Sequence, residues 1–358
     1  MTSTGLNLEE AVKNLYSDLA ANDLQPLWTQ AKEIVPLQPK PATLPWQWRW
    51  ETLLRLAERA GELITVDRGG ERRVLILTNP GLAGRPFATP TMIGTIQYLN
   101  PKESAPAHRH TAGAIRFVLQ GEGVSTTVNG DKCEMHPGDL IVTPNWSWHD
   151  HYNSGDVPAV WFDGLDDATG LMLDAVFFEP HVDQTQKVEW PINATTRLYA
   201  MRGILPLGLA PSPQTPLFLY RRADVDAALT ALLEINGGPQ VSIQYVNPTT
   251  AKPALSTIGC EMHRLLPGSL TPAYRKVGNS IFVVYSGTGY SIINGQRFDW
   301  HHGDVFVIPS WAIVEHYAHE VADLFAVTDR PILEALGLFR EATLEQPQEV
   351  VSHFTPKQ

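Results

Sequence analysis

APAHRHTAGAIRFVLQGEG, residues 105–123, is repeated as TPAYRKVGNSIFVVYSGTG at residues 271–289. A second pair follows at nearly the same distance: NGDKCEMHPGDLIVTPNW at 129–146 and NGQRFDWHHGDVFVIPSW at 294–311. Runs rich in β-branched and aromatic residues, separated by Asn-Gly and other Gly turns, are typical of short strands joined in hairpins. This internal repeat predicts two β domains of the same architecture, one after the other.

Metal-binding chemistry is predicted in the first copy alone. His108 and His110 lie on one predicted strand, and period-two alternation puts both imidazoles on the same face. His149, arriving from another strand, could complete a three-nitrogen metal site. The alternative is a pair of surface histidines and one core histidine. In the second copy the corresponding positions hold Tyr274, Lys276 and Val314, so that copy is predicted to be metal-free.

Composition excludes several classes of function. The 28 Pro and 27 Gly suit a chain of short strands and many turns. A formal net charge of -11 argues against nucleic acid and anionic membranes as partners. Cys133 and Cys260 are too few for a disulfide framework. With no signal pattern and no apolar run near the ~20 residues of a membrane span, we expect a cytoplasmic protein.

The residues around the histidines resemble the two motifs of the cupin superfamily. The first motif is matched by His108, His110 and Gly121, with Ala114 where the motif has an acid. The second motif is matched by Gly138, Pro144, His149 and Asn153, with Trp146 where the motif has Gly. The absent acid leaves a set of three histidines.

A two-domain cupin with three histidines resembles the gentisate 1,2-dioxygenase family, which includes salicylate and 1-hydroxy-2-naphthoate ring-cleaving relatives. The likeness extends to PLWTQ at 26–30, NPGL at 79–82 and WFDGLD at 161–166, and so covers nearly the whole chain. It implies a mainly β fold, a bicupin of two double-stranded β-helix (jelly-roll) barrels with N-terminal and linking helices.

The expected domains follow the repeat. They are an N-terminal helical segment (1–62), a metal-binding barrel (63–180), a linker with a helix (181–238) and a metal-free barrel with a C-terminal helix (239–358). Apolar residues at helical spacing predict helices between Leu8 and Ile34, from Trp50 to Gly61, from Arg222, and in ILEALGLFREATL after Pro331. The N-terminal helices either cover a barrel edge or subunit interface, or pack only on their own barrel. A homotetramer is implied by the resemblance alone.

The ligand set favours one class of substrate. Three neutral imidazoles leave a divalent metal with its full charge, so a 2-hydroxybenzoate, bringing a carboxylate and an ionised phenol, would neutralise it. An octahedral iron would also keep room for dioxygen. Histidines alone do not separate iron from zinc. The resemblance implies Fe(II), with a small aromatic hydroxy acid and O2 as partners. It also implies gentisate as substrate, opened between the carboxyl- and hydroxyl-bearing carbons to maleylpyruvate.

Two arginines are candidates for binding the substrate. Arg116 lies six positions after His110 and shares its face if the strand is regular. A buried arginine is costly unless it meets an anion, and the resemblance assigns Arg116 to the substrate carboxylate. A bend at 111–113 would leave open a salt bridge on the outer face instead. Arg72 matches a second substrate-binding arginine of the family, or belongs to a solvated charge cluster.

Two further residues are candidates for catalysis. His151 faces the same way as His149 and could be another ligand, an acid–base group or a core histidine. The resemblance implies that it hydrogen-bonds the substrate or the oxygen intermediate. Asp163 by resemblance orients a histidine or holds water, and a surface turn is its alternative. No role is assigned to His136, His181, His263, His301, His302, His319 and His353.

The residues expected to line the ring pocket do not decide which substrate is bound. Gln97 could contact the substrate from the preceding strand. Ile93 and Thr95 stand where the family often has Trp and a small residue, so salicylate and 1-hydroxy-2-naphthoate remain alternatives to gentisate. A non-catalytic cupin that binds a small acid is the alternative of a different class.

Overall fold

The structure, a computed structural model, describes residues 5–65, 73–201, 203–268 and 270–356. The chain divides into two compact units, residues 1–40 and 41–358. In the first unit, the predicted helical stretch forms two helices, α1 (Gly5–Ala21) and α2 (Leu27–Ile34). Their apolar side chains, such as Leu15 and Trp28, are exposed.

The second unit contains the remaining elements. Its helices are α3 (Trp50–Leu63), α4 (Asp167–Met172), α5 (Ala194–Tyr199), α6 (Arg222–Asn236) and α7 (Arg330–Ala335), with a 3-10 turn at Pro80–Leu82. The strands of its first half are β1 (Trp46–Trp48), β2 (Val74–Ile76), β3 (Ile93–Leu99), β4 (Ser104–His110), β5 (Ala114–Gln120), β6 (Val124–Val128), β7 (Asp131–Met135), β8 (Leu140–Thr143), β9 (His149–Asn153), β10 (Ala159–Leu165), β11 (Phe178–Pro180) and β12 (Leu219–Tyr220). Those of the second half are β13 (Gln240–Gln244), β14 (Gly259–Leu265), β15 (Tyr274–Lys276), β16 (Ser280–Ser286), β17 (Gly289–Ile293), β18 (Gln296–Trp300), β19 (Val305–Ile308), β20 (Val314–Ala318), β21 (Ala322–Thr328), β22 (Glu341–Thr343) and β23 (Ser352–His353).

In the described part of the chain these strands form four sheets, two to each barrel. The first barrel has the strand orders β12-β8-β5-β10-β3-β2 and β11-β4-β9-β6-β7. The second has β1-β19-β16-β21-β14-β13 and β22-β15-β20-β17-β18-β23. Each strand that the repeat aligns takes the same place in its barrel, which is the predicted mainly β bicupin.

The two barrels pack against each other through one sheet from each. Phe117 of β5 and Phe325 of β21 are fully buried, and their rings stack with centroids 4.2 Å apart. Gly94 and Gly164 lie where the sheets approach closely, since a Cβ at either position would come within 3.4 Å of a side chain of the second barrel. Burial of these facing apolar surfaces stabilises the packing of one barrel on the other.

The interiors of the two barrels differ at corresponding positions. Arg116 on β5 lies inside the first barrel, whereas the corresponding Phe282 on β16 fills the second and stacks on Phe306 with centroids 5.2 Å apart. Val314 stands where the first barrel has His149. Two positions that carry chemistry in the first barrel, those of Arg116 and His149, therefore hold apolar side chains in the second. That it binds no metal stays a prediction.

Each barrel gains an edge strand from a distant segment. β1 pairs with β19 of the second barrel, and β12 pairs with β8 of the first. β1 therefore joins the second barrel although it lies within the predicted segment 1–62. The domain boundaries at 62, 180 and 238 stay predictions.

The helix that follows each of these edge strands is capped at its N-terminus by an aspartate, and the two aspartates occupy equivalent positions of the repeat. Buried Asp304 accepts hydrogen bonds from the backbone N–H of Trp50, at 2.8 Å, and from the side chains of Arg49 and Gln47. Asp139 likewise accepts from the backbone N–H of Arg222 at 2.8 Å and from Arg221 at 2.9 Å. The two carboxylates thus fix the start of α3 and α6, because they satisfy N–H groups that have no partner within the helix.

We expect Asp304→Ala to lower the free energy of unfolding by about 2–3 kcal/mol, because it leaves Arg49, Gln47 and the Trp50 N–H without their shared acceptor. Chemical denaturation measures the change. Asp299→Ala is the matched control, since Asp299 is half-exposed and pairs with Arg297 near the surface, and it should cost no more than about 1 kcal/mol. Equal losses in the two variants would contradict the capping role.

The second cupin motif has a tryptophan where its glycine is expected, and the backbone explains why the motif has glycine. Trp146 has φ 61° and Trp311, at the same position of the repeat, has φ 65°, a left-handed conformation that costs a side-chain-bearing residue about 1–2 kcal/mol. Arg109 and Arg275 stack over these indoles, each at 4.5 Å from the ring. These cation–π contacts offset part of the strain.

One predicted element is wrong. The apolar spacing of the C-terminal stretch predicts a helix through Leu344, but α7 ends at Ala335. Gly337 follows with φ 70°, and residues 341–343 form β22, which pairs with β15. A distant strand thus overrode the local helical spacing. No described helix is long and apolar enough to cross a membrane.

Candidate metal centre and substrate cavity

The three predicted ligands come together on two neighbouring strands. His108 and His110 end β4, and His149 begins β9 directly opposite His108. One ring nitrogen from each lies within 4.8 Å of the others. The ring centroids of His108 and His149 are 4.3 Å apart, and those of His110 and His149 are 4.9 Å apart. Such spacing suits three nitrogens around one ion.

Backbone carbonyls orient all three rings. Nδ1 of His108 is 2.8 Å from the oxygen of Pro106, and Nδ1 of His110 is 2.9 Å from that of Ala112. Nδ1 of His149 is 3.0 Å from the oxygen of Ser147. These contacts fix the tautomer in which Nδ1 carries the proton and Nε2 is available as a ligand.

The electrostatics of His149 also fit a metal ligand. Its buried Nε2 has no hydrogen-bond partner among the described residues, a cost that a bound ion would remove. Burial, followed by the charge of Arg116, lowers the pKa of His149 well below its usual value. The ring is therefore neutral at physiological pH, which is the form that binds metal.

A cavity of about 350 Å³ opens onto this group. The volume lies within the range of small-ligand sites. Its polar lining residues are Thr95, Gln97, His108, His110, Arg116, His151, Asp163 and Asp167. Its apolar lining residues are Val74, Ile76, Ile93, Ala105, Leu165, Val176, Phe177 and Phe178. The combination of an apolar wall and a few polar groups suits a small aromatic acid.

Arg116 lines this cavity, but for a different reason from the predicted one. β4 ends at His110 and β5 begins at Ala114, so residues 111–113 break the strand and its alternation does not relate the face of Arg116 to that of His110. Arg116 faces inward because of its register on β5, where it lies directly opposite Asp163 of β10. Ala114, at the position of the missing acid, is fully buried at the start of the same strand.

A buried ion pair holds Arg116. Its Nη1 donates to the hydroxyl of Thr143 at 2.6 Å, and its Nε lies 3.4 Å from Asp163. Burial lowers the pKa of Arg116, while Asp163 opposes the shift. The two described partners engage only part of a five-donor guanidinium. The remainder can bind an anion in the cavity.

Asp163 is shared between Arg116 and two neutral donors. Trp161 Nε1 lies 3.1 Å from both carboxylate oxygens, and the hydroxyl of Thr95 lies 3.4 Å from one of them. Burial raises the pKa of Asp163 to about 6, against the opposing effect of Arg116. These contacts suit a residue that positions Arg116. The expectation that it orients a histidine or holds water stays a prediction.

His151 lies in the cavity wall next to the ligands. Its Nδ1 is 2.8 Å from the hydroxyl of Thr126, and its ring is 5.8 Å from that of His149. The second barrel has the same bond, between His316 and Ser291 at 2.8 Å. This hydrogen bond therefore belongs to the architecture of both barrels. His151 in addition lines the cavity next to the ligands.

The remaining predicted substrate contacts fall into two groups. Gln97, Ile93 and Thr95 all lie on β3 and line the cavity. Arg72 lies outside the described residues, and its role stays a prediction.

Sequence reasoning missed several groups at the site. Thr143, which fixes Arg116, sits on a strand distant in sequence and gave no local signal. Thr126 could have been found, since the repeat aligns the pair Thr126 and His151 with Ser291 and His316. Phe178 stacks on His108 with centroids 5.2 Å apart, but β11 had no strand pattern of its own.

Fold and site together define a cupin with a three-histidine metal-binding group. Residues 95–165 match the family model of the cupin domain. A gentisate 1,2-dioxygenase of a Streptomyces species is 45% identical over 91% of this chain and 94% of its own length. A 5-aminosalicylate 1,2-dioxygenase of a Comamonas species is 36% identical over 93% of this chain and 90% of its own.

A solved structure has the same fold. Salicylate 1,2-dioxygenase from Pseudoaminobacter salicylatoxidans, in its adducts with gentisate, superposes with a TM-score of 0.90 at 41% identity, covering 97% of this chain and 96% of that one. This chain belongs to the family of gentisate and salicylate 1,2-dioxygenases, and it is a ring-cleaving dioxygenase.

Proposed function

We propose that this protein is an Fe(II)-dependent gentisate 1,2-dioxygenase that opens 2,5-dihydroxybenzoate to maleylpyruvate. The observation that carries the proposal is one cavity shared by the convergent nitrogens of His108, His110 and His149 and by the buried guanidinium of Arg116. The 45% identity to a gentisate 1,2-dioxygenase supports the choice of substrate.

The three histidines would hold the metal through Nε2, which is supported by the buried Nε2 of His149, since it has no hydrogen-bond partner among the described residues. Iron(II) at these nitrogens would supply open coordination positions for the carboxylate and phenol oxygens of the substrate and for dioxygen. Both oxygen atoms end in the product, one as the new ketone and one in the new carboxylate.

Arg116 binds and orients the substrate carboxylate. Its side chain is held by Thr143 and Asp163, so little conformational entropy is lost when the anion arrives. A charge-assisted hydrogen bond in a cavity sheltered from water is also stronger than one at the surface. Asp163 positions the guanidinium and balances its charge before the substrate binds.

His151 and Gln97 complete the polar wall. The Nδ1 contact of His151 with Thr126 fixes the ring, so that the rest of its edge meets the cavity. We assign it a hydrogen bond to the substrate or to the oxygen that is transferred. Gln97, facing the same space from β3, supplies an amide for the same purpose.

1-Hydroxy-2-naphthoate or salicylate is the second candidate substrate. The cavity wall formed by Val74, Ile76, Ile93 and Leu165 is apolar and open enough for a second ring. Thr95, next to Ile76 in the pairing of β3 with β2, turns its hydroxyl to Asp163. A para hydroxyl raises the electron density of the ring, so gentisate should nevertheless react faster than salicylate.

Oxygen uptake by the iron-loaded protein tests the substrate. We expect one O2 consumed per gentisate, slower or absent turnover of salicylate, and little with catechol, which lacks the carboxylate for Arg116. Gentisate, salicylate and 1-hydroxy-2-naphthoate are compared side by side in an oxygen electrode. Cleavage of either of the others without gentisate would refute the substrate but keep the chemistry. Inactivity with all three would favour the non-catalytic, acid-binding alternative.

A further inference from the structure

Asp167 is a second carboxylate on the cavity wall, separate from the groups assigned above. Asp163, Leu165 and Asp167 occupy alternate positions along the end of β10 and the start of α4, and all three line the cavity. Asp163 is 4% exposed, whereas Asp167 is only half-buried. Asp167 therefore lies nearer to solvent than the ion pair of Asp163 with Arg116.

The carboxylate of Asp167 lacks the partners that its neighbours have. Asp163 contacts Arg116, Trp161 and Thr95. Asp166 accepts hydrogen bonds from Thr257 and from the backbone N–H of Gly113. Among the described residues, Asp167 makes no side-chain hydrogen bond or ion pair. Burial, followed by the charge of Asp166, raises the pKa of Asp167 to about 6.

The surroundings of Asp167 mean that a hydrogen-bond donor on the ligand would stabilise its carboxylate. The nearby lining consists largely of apolar side chains, among them Ile93, Leu165 and Val176. A carboxylate that loses water without gaining a donor is destabilised, and a ligand hydroxyl or amino group would restore the lost hydrogen bond.

The chemistry of the proposed substrate places such a donor on the ring edge away from the chelating groups. When the carboxylate and the adjacent hydroxyl of a 2-hydroxybenzoate are directed to the histidines and Arg116, the other ring substituents face the remainder of the cavity. The 5-position lies para to the chelating hydroxyl and is therefore farthest from it.

Building on the function proposed above, we propose that Asp167 is a specificity-determining residue that accepts a hydrogen bond from a hydroxyl or amino group on the ring edge remote from the chelating pair. A carboxylate favours substituents that donate and disfavours nitro or carboxylate groups, which offer only acceptor oxygens. The site selects 2-hydroxybenzoates with a donor at the 5-position over unsubstituted salicylate.

A purely structural role makes a different prediction. An acid in the first turn of α4 interacts favourably with the helix dipole. Its loss would then lower stability, but it could not change the ratio of affinities for two ligands. The discriminating quantity is that ratio.

Anaerobic dissociation constants of gentisate and salicylate, measured on the full-length Fe(II)-loaded protein, test the proposal. We expect gentisate to bind the wild type more tightly on the order of ten- to a hundredfold, the worth of a hydrogen bond to a charged group. Asp167→Leu should abolish this preference by weakening gentisate alone, and Asp167→Asn should reduce it. Asp156→Leu, in the exposed loop that precedes β10, is the control and should keep the wild-type ratio.

The outcomes separate the two proposals. Equal binding of both compounds by the wild type, or equal weakening of both in Asp167→Leu, overturns the assignment of Asp167 and leaves the proposed function intact. A wild-type protein that binds neither compound overturns both. Metal content and melting temperature of each variant show whether a loss of binding comes from a loss of fold.

Discussion

The His149→Ala variant is expected to contain almost no iron and to show no ring cleavage while remaining folded. The wild type should bind about one iron per chain, and removing one of three nitrogen ligands leaves too few to retain it. His108→Ala and His110→Ala should behave in the same way. Elemental analysis and circular dichroism measure metal content and fold on the same samples.

His316→Ala is the matched control for these variants. His316 is buried in the second barrel about as deeply as His149 is in the first, yet Phe282 and Val314 lie beside it. Its replacement should therefore leave iron content unchanged. Wild-type iron in His149→Ala would contradict the ligand assignment. Two tightly bound metals per wild-type chain would contradict both that assignment and a metal-free second barrel.

Arg116→Lys is expected to lower kcat/KM by roughly 30- to 900-fold, which corresponds to about 2–4 kcal/mol of transition-state stabilisation. Lysine keeps the charge but loses the planar fork that reaches Thr143, Asp163 and the substrate carboxylate together. Iron content should not change, because Arg116 is not a ligand. Steady-state kinetics with gentisate and metal analysis measure the two quantities.

Arg109→Lys is the control for this exchange. Arg109 is next to the ligands in sequence, but it stacks between Trp146 and Trp148 and pairs with Glu179 instead of lining the cavity. Its replacement should change kcat/KM little. An Arg116→Ala variant with wild-type turnover would refute the role of Arg116 in binding the carboxylate.

Much of the fold could be predicted because the sequence carries it twice. The Asn-Gly turns at 129–130 and 294–295 and the paired glycines at 121 and 287 fix equivalent hairpins, which the structure confirms. The helices beginning at Trp50 and Arg222 were likewise readable from their apolar spacing. Local patterns of this kind determine elements whose partners are close in sequence.

Long-range pairing set the limit of prediction. β1 and β12 are too short to have a pattern, and they become strands only because β19 and β8 offer them an edge. Residues 341–343 have helical spacing in the sequence, yet they form a strand because they pair with β15. That pairing leaves no signal in the local sequence. The pairing of α3 and α6 with Asp304 and Asp139 was equally hidden, since each partner lies far along the chain.

At the candidate site, too, local patterns predicted some features while long-range pairing determined others. The His108, His110 and His149 group followed from strand periodicity and motif spacing, and their geometry agrees with it. Arg116 was expected to face the cavity on a parity argument that the break at 111–113 invalidates, and its register against β10 places it there instead. The carboxylate of Asp167 has no side-chain partner among the described residues, and a sequence pattern carries no information about such an absence. The homotetramer remains a prediction from the resemblance.

Turnover of gentisate by the Fe(II)-loaded protein under 18O2 tests the central claim most directly. The product is reduced immediately with borohydride, because a ketone oxygen would otherwise exchange with water, and its mass is then measured. We predict a ring-opened acid that carries both labelled atoms, one at the carbon that bore the carboxylate and one at the carbon that bore the hydroxyl. A product with an intact ring, or with a single labelled atom after this trapping, would contradict assignment as a ring-cleaving dioxygenase.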